Sequence, residues 1–375
     1  MPEARWEENL EKLLGKAEEQ GIDTLILGSK ANIRYTTGIV EPTGLAVAGR
    51  DCGYTLITPL LDYHRIVSQA PSHVEVKAAY RRSDEALEAD IPRGDLIQDT
   101  PARAALSIAR SCGGKVAGDL SAQPYPQARI LAGEEVEDLT SLINRVRSIK
   151  SSWEVEIMVE AAYKAEEILG KVIGMLADGV TEAGIAGEIL RLSMEAAEGT
   201  SFPPIVAFYS NTAYPHHVPG PTILGVDGPV LIDMGVVHMG YMSDITRTLY
   251  KGSPGQGFRK VLEAVAEAQA AAIDRVAPGA EAWEPDKEAR LLLARHGLAR
   301  HFIHGLGHGV GVEIHEEPYL RPGSKTVLEP GMVVTVEPGV YMPGLYGVRI
   351  EDMVLVTRGG RRVLTRFART LGDIA

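Results

Sequence analysis

The stretch "HGLGHGVGVEIHEEP", residues 304 to 318, gathers three of the chain's ten histidines among four glycines. A single buried histidine is ordinarily a satisfied core residue, but His304, His308 and His315 together ask for a shared chemistry. Two other stretches can supply partners. "PVLIDMGVVHMGYMSDITRTLY" (229–250) reads as a hairpin turning at His238 and Met239, which places Asp233 opposite Asp244. "GMVVTVEPGVYMPGLYGVRIEDMVLV" (331–356) reads as a second, turning at Gly344, with Glu337 opposite Glu351. Opposed residues project from one sheet face with Cβ atoms about 5 Å apart. Both pairs sit in apolar strands that want burial, where facing carboxylates repel and an unpaired charge is costly. For one pair alone, solvent exposure or partners in Arg247 and Arg349 is an equal explanation. Two similar hairpins point instead to bound cations.

His308 then supplies a neutral nitrogen to a site whose other ligands are oxygens. Four carboxylates are balanced by two divalent cations, and such a donor set suits Mn2+, Co2+ or Fe2+ better than a thiolate-bound structural Zn2+. The glycines are expected to let backbone pass close to a crowded metal centre. No GK[ST] follows, so the run is no phosphate loop. Gly305 stands where an HExxH zinc helix needs glutamate.

These groups need a scaffold. Residues 1–20 read as an amphipathic helix ended near Gly21, 22–28 as a buried strand, and "SKANIRYTTG" (29–38) as a turn. Alternating strands and helices continue to about residue 145, with a last strand in "GGKVAGD" and a last helix in "EVEDLTSLI". His64 and His73 are isolated there and read as solvated. A domain boundary near 146 divides the chain into 1–145 and 146–375. Beyond it, Ser151 and Glu154 have capping-box spacing, with Trp153, Ile157, Ile168 and Val172 on an apolar face. Gly179 is expected to end that helix and Thr181 to cap the next. Further helices are expected over 255–277 and 284–297.

Composition excludes several classes. At 45% hydrophobic and 23% charged, the chain is that of a globular protein, with no apolar run long enough for a bilayer and a charged start unlike a signal peptide. A net charge of −12 argues against nucleic acid or anionic membrane as partner. Cys52 and Cys112 lack CxxC spacing, which excludes a thiolate metal site and fits a reducing cytoplasm.

Asp233, Asp244, His308, Glu337 and Glu351, in that order, resemble the five metal ligands of the pita-bread metallopeptidases, the family of methionine aminopeptidase, aminopeptidase P and proline dipeptidase (prolidase). "FPPIVAFYSNTAYPHH", "LIDMG", "GYMSDITRT", "VEPGVY" and "VRIED" occur in the family's order, and "NIRYTTG" resembles the prolidase and aminopeptidase P branch. The resemblance implies an α/β (α+β) chain with a creatinase-like N-terminal domain and a pita-bread catalytic domain. It implies two divalent metal ions, Mn2+ or Co2+ first, with Fe2+ and Zn2+ also able to occupy the site. Asp233 would chelate one metal, His308 and Glu337 the other, with Asp244 and Glu351 bridging. A water or hydroxide between the metals would be the nucleophile. Glu337 would then be proton acceptor and donor, His315 would contact the substrate carbonyl and developing oxyanion, and His216 would lie near the scissile nitrogen. Arg349 matches a family arginine, open either to substrate or to pairing with an acid such as Asp352. His304 and His217 read as supporting or solvated residues.

The implied substrate is a small peptide with proline in second position, and the implied enzyme a cytoplasmic homodimer. An Xaa-Pro dipeptidase leads. An aminopeptidase P, a non-peptide amide hydrolase on the same fold and a non-catalytic binding protein follow. Two positions depart from the prolidase pattern. Tyr319 stands where such chains often carry arginine, the nearest here being Arg321. Tyr209 and Ser210 stand in "AFYSN", either narrowing the pocket or sitting aside.

Overall fold

A computed structural model describes residues 4–81 and 90–369, together with the backbone of 373–374. The chain divides between Arg147 and Ser148, within the helix Thr140–Ser148.

The first unit is built on a seven-stranded mixed sheet. Its centre is antiparallel, Thr24–Leu27 and Gly53–Pro59 both pairing with Leu45–Gly49, and its flanks are parallel. The helix Trp6–Glu18 buries Leu10, Leu13, Leu14 and Ala17, one apolar stripe at helical spacing. The segment 29–38 is not a turn but carries a helix, Lys30–Thr37. Its Asn and Thr residues are poor helix formers. Tertiary contacts override that, because Ile33 and Tyr35 are buried and Asn9 donates to the Tyr35 carbonyl at 3.0 Å. His73 is not simply solvated either, being half-buried with a ring nitrogen 3.3 Å from the Thr36 carbonyl oxygen. His64 is exposed.

Cys52 and Cys112, Cα atoms 5.5 Å apart, form a disulfide. The helix Pro101–Cys112 ends where its last residue reaches the turn after Leu45–Gly49, a juxtaposition that spacing along the chain does not reveal. Disulfides are uncommon in reducing compartments, so the cysteine count no longer argues for one. No helix among the described residues is long and apolar enough to cross a membrane.

The second unit has a four-stranded and a five-stranded sheet, each covered by its own helix pair, and two two-stranded ribbons, Val237–His238 with Tyr241–Met242 and Gly339–Met342 with Tyr346–Arg349. Ile205–Phe208, Gly228–Met234 and Ile245–Lys251 form one antiparallel sheet, extended in parallel by residues 373–374. The helices Ser152–Ile173 and Glu182–Ala196 bury Ile168, Leu169 and Ile189 against Val206, Val230 and Ile232 of that sheet. The other sheet places Gly307–Gly309 between Glu316–Leu320 and Val333–Val336, followed by Asp352–Thr357 and Gly360–Val363. The helices Gln256–Arg275 and Trp283–Arg295 pack Val265, Ala268 and Leu293 against Val334, Val336 and Val354. This is the α+β class expected of the chain.

Ser151 and Glu154 form the expected box, Ser151 donating to the Glu154 carboxylate from both its backbone N–H (2.7 Å) and its hydroxyl (2.8 Å). The helix stops at Ile173 with Gly174 as its cap, earlier than the expected Gly179. Gly179 is drawn into a different role, its N–H donating to the Leu224 carbonyl at 2.8 Å. Thr181 does cap the next helix, accepting from the Gly184 N–H at 3.0 Å.

Candidate metal centre and its pocket

The first acid-bearing hairpin turns one residue later than its sequence suggests. His238 pairs with Tyr241, leaving Met239 and Gly240 as a two-residue turn with φ of 44° and 81°. Both values are positive, as a type I′ turn requires, and glycine takes the second position without steric cost. The register therefore sets Asp233 opposite Thr246, not opposite Asp244. The slip is an even number of residues, so Asp244 stays on the same face as a diagonal neighbour of Asp233. The second hairpin holds the expected register. Gly339 pairs with Arg349 and Val336 with Asp352, which sets Glu337 and Glu351 opposite each other. Both residues leave that ladder: the Glu337 N–H donates to the Leu306 carbonyl, and the Glu351 N–H to the Thr246 carbonyl of the other sheet.

His308 sits on the strand Gly307–Gly309, between Glu316–Leu320 and Val333–Val336. Its Nδ1 lies 3.0 Å from the Gly309 carbonyl oxygen, which can only accept, so Nδ1 carries the hydrogen and Nε2 presents a lone pair. That Nε2 is 3.4 Å from Glu337 Oε1 and 3.7 Å from Asp244 Oδ2. The flanking glycines serve the sheet more than the metal. A Cβ on Gly307 would lie 2.1 Å from the Thr335 carbonyl oxygen, and one on Gly309 2.2 Å from that of Glu317. These glycines admit the neighbouring strands.

The electrostatics are those of acids crowded out of water. Burial, then the charges of Glu351, Asp233 and Glu337, pushes the Asp244 carboxyl far above its ordinary range. Burial, then Glu337 and Asp233, does the same to Glu351. Burial chiefly raises Glu337 to about 8, and lowers His308 to about 4, so the imidazole is neutral at neutral pH. Asp233 has one oxygen paired with the Arg349 guanidinium at 2.5 Å, while its Oδ1 is buried without any hydrogen-bond partner. Ligand atoms of Asp244, His308 and Glu351 lie within 4.8 Å of one another. An orphaned carboxylate oxygen, three acids driven towards protonation and a neutral imidazole nitrogen fit divalent cations with oxygen-rich coordination.

A cavity of about 760 Å3 opens over these groups, and all eight expected site residues line it, including His216, His315 and Arg349. His216 and His315 are solvent-exposed on its wall, and the His315 ring stands edge-on to His308 at 4.3 Å between centroids. Arg349 does not present a free cation to this space. Besides Asp233, it donates to the Tyr341 hydroxyl at 2.8 Å and to Thr246 at 3.2 Å. Its partner is thus Asp233 rather than Asp352, which is held by Arg247 (2.7 Å) and Arg369 (2.6 Å). Tyr209 sits aside, its hydroxyl accepting from the Gly225 N–H.

Sequence reasoning missed the residues that hold these groups in place. Thr246 donates to Glu351 at 2.7 Å and Thr335 to Glu337 at 3.3 Å. Each hydroxyl lies two positions along a strand from an acid, the period-two signal of a shared face. Tyr341 bridges Arg349 to His304, whose Nε2 is 3.0 Å from the tyrosine hydroxyl, giving His304 a supporting role. Glu182 is fully buried and accepts from Phe208 N (2.7 Å), Asn211 (2.9 Å), His217 (2.9 Å) and Gly220 N (3.1 Å), which fixes the loop bearing His216.

Comparison with known proteins identifies the family. Residues 156–358 match Metallopeptidase family M24, and residues 9–149 match the Creatinase/Prolidase N-terminal domain. The chain is 34% identical over 368 residues to an uncharacterized peptidase of Bacillus subtilis, covering 96% of this chain and 99% of that protein. Against the Xaa-Pro dipeptidase of Pyrococcus furiosus the identity is 33% over 369 residues, covering 97% and 99%. The solved structure of an Xaa-Pro dipeptidase from Bacillus anthracis superposes with a TM-score of 0.83 at 28% identity, over 98% of this chain and all of the other.

Proposed function

Because the chain belongs to metallopeptidase family M24, we propose that it hydrolyses the peptide bond before proline in Xaa-Pro dipeptides, with two divalent cations held by Asp233, Asp244, His308, Glu337 and Glu351. The observation that carries this reading is the buried carboxylate cluster around a neutral His308, with Asp233 Oδ1 unpartnered, at the floor of a peptide-sized cavity. When bound, the cations supply Lewis acidity, polarising the scissile carbonyl and lowering the pKa of an attacking water. Mn2+ or Co2+ suits the five-ligand set best.

The chain's own residues do the rest. Arg349 and Thr246 orient the carboxylates of Asp233 and Glu351, so the ligands need little rearrangement. Glu337 would accept the proton of the attacking water and return it to the leaving nitrogen. His315 stands on the wall, and desolvation first, then His216, lowers its pKa, so the ring is neutral and one nitrogen can donate to the developing oxyanion. His216 lies across the same cavity, placed to meet the scissile nitrogen. The same reading makes the enzyme a homodimer, which light scattering after size exclusion measures.

The test uses metal-stripped protein with Mn2+, Co2+ or Zn2+ restored singly. Substrates are Gly-Pro, Leu-Pro and Met-Pro beside Leu-Pro-Pro and Leu-Gly. Metal-dependent cleavage of the three Xaa-Pro dipeptides alone is expected. Cleavage of Leu-Pro-Pro but no dipeptide would make it an aminopeptidase P, and silence on all five would end the peptidase reading.

A further inference from the structure

A dipeptide differs from longer peptides in carrying a free carboxylate on the residue after the scissile bond. A pocket selective for it must meet that charge, because an unpaired carboxylate taken from water is costly. Two arginines line the cavity, Arg349 and Arg321. Arg349 is spent: its side chain is 4% exposed, with its donors on Asp233, Tyr341 and Thr246. Arg321 is exposed, and among the described residues it has no acidic partner.

Arg321 follows the strand Glu316–Leu320, two positions after Tyr319. Both side chains reach the same cavity wall. The Arg321 guanidinium lies over the Tyr319 ring, 5.2 Å from its centroid. Cation–π contact of this kind braces the planar group while leaving its in-plane N–H donors free for a carboxylate. Tyr319 itself offers only a neutral hydroxyl, because burial raises its pKa further. The Arg321 Cβ also packs beside Gly305, where an added Cβ would come within 3.0 Å, so the arginine's stem is fixed against the loop leading to His308.

We propose that Arg321, braced on the Tyr319 ring, holds the substrate's C-terminal carboxylate and makes this enzyme select dipeptides. The inference rests on the Xaa-Pro reading above. Charge at this mouth is thus carried two residues beyond Tyr319, just past the strand's end, and the aromatic ring serves as its shelf.

The experiment compares Leu-Pro with its C-terminal amide on the Mn2+-loaded enzyme and on Arg321→Ala and Arg321→Lys. The wild type should prefer the free acid. Arg321→Ala should raise KM for Leu-Pro about tenfold or more, the loss of one charge-assisted contact, while kcat and all constants for the amide stay within about twofold. Arg321→Lys should recover part of the loss. Calorimetric binding of an uncleavable Leu-Pro analogue, with methylene in place of the scissile carbonyl, should weaken by the same factor in Arg321→Ala. Equal losses on acid and amide, or no loss on either, would overturn the assignment while leaving the dipeptidase standing. A wild type inert on both peptides would overturn both readings together.

Discussion

Loading the metal-free protein with Mn2+ at pH 7 will release protons, and the number is set by the buried acids. Glu337, raised to about 8, is about nine-tenths protonated at pH 7 and must lose that proton to bind. Asp244 and Glu351 are pushed up by the same burial and mutual repulsion and add to the count. His308, lowered to about 4, has no proton left to lose. Roughly one to three protons per subunit are therefore expected, and through Glu337 alone the apparent affinity should tighten about 50-fold between pH 6 and pH 8. The sign for the metal-free fold follows from the same shift. The folded Glu337 pKa lies above its ordinary 4.5, so the folded state binds more protons, and its contribution is whole below about pH 4.5 and lost as pH rises through about 8. At 1.36 kcal/mol per pH unit, about 5 kcal/mol is at stake. Calorimetric titration with Mn2+ in buffers of different ionisation enthalpy counts the protons directly. Glu337→Gln should lower the count at pH 7 by about one. A count near zero in the wild type, or one unmoved by Glu337→Gln, would refute the claim that burial keeps these acids protonated.

Asp244→Asn should abolish hydrolysis and metal binding together, and should not lower the melting temperature of the metal-free protein, because burial and the neighbouring carboxylates disfavour the charge it removes; an active, metal-loaded variant would remove Asp244 from the bridging role. For His315→Ala, turnover should fall about 100-fold or more, as when an oxyanion donor is lost, with both metals still present by elemental analysis. Loss of metal instead would place His315 among the ligands. Reduction of the Cys52–Cys112 disulfide, which closes 60 residues of chain, should destabilise the N-terminal unit by about 2–4 kcal/mol. Thermal melts with and without reductant measure this, and activity at room temperature should stay the same because every site residue lies in the other unit.

The amino-acid sequence alone determined which residues meet. Acids embedded in apolar strands have few stable options, and two such pairs beside a cluster of histidines leave metal binding as the economical one. Period-two alternation then placed each pair on a single face, a property that survives an even slip in register, so Asp233 and Asp244 were correctly grouped although their direct opposition was not. Local rules also held where the partner is near in the chain, as at Ser151 with Glu154 and Thr181 with Gly184.

Only the tertiary structure decided what depends on distant neighbours. The helix Lys30–Thr37 forms because its buried face is held by the first helix, against its own propensity. Cys52 and Cys112 pair because a helix end meets a turn 60 residues away. Arg349 was legible as a cation near the site, but its choice of Asp233 over Asp352 follows from which strands become neighbours. The shifted carboxyls of Asp244, Glu337 and Glu351 belong to this class too. A pKa responds to burial and to charges brought close in space, and both exist only once the two sheets have packed.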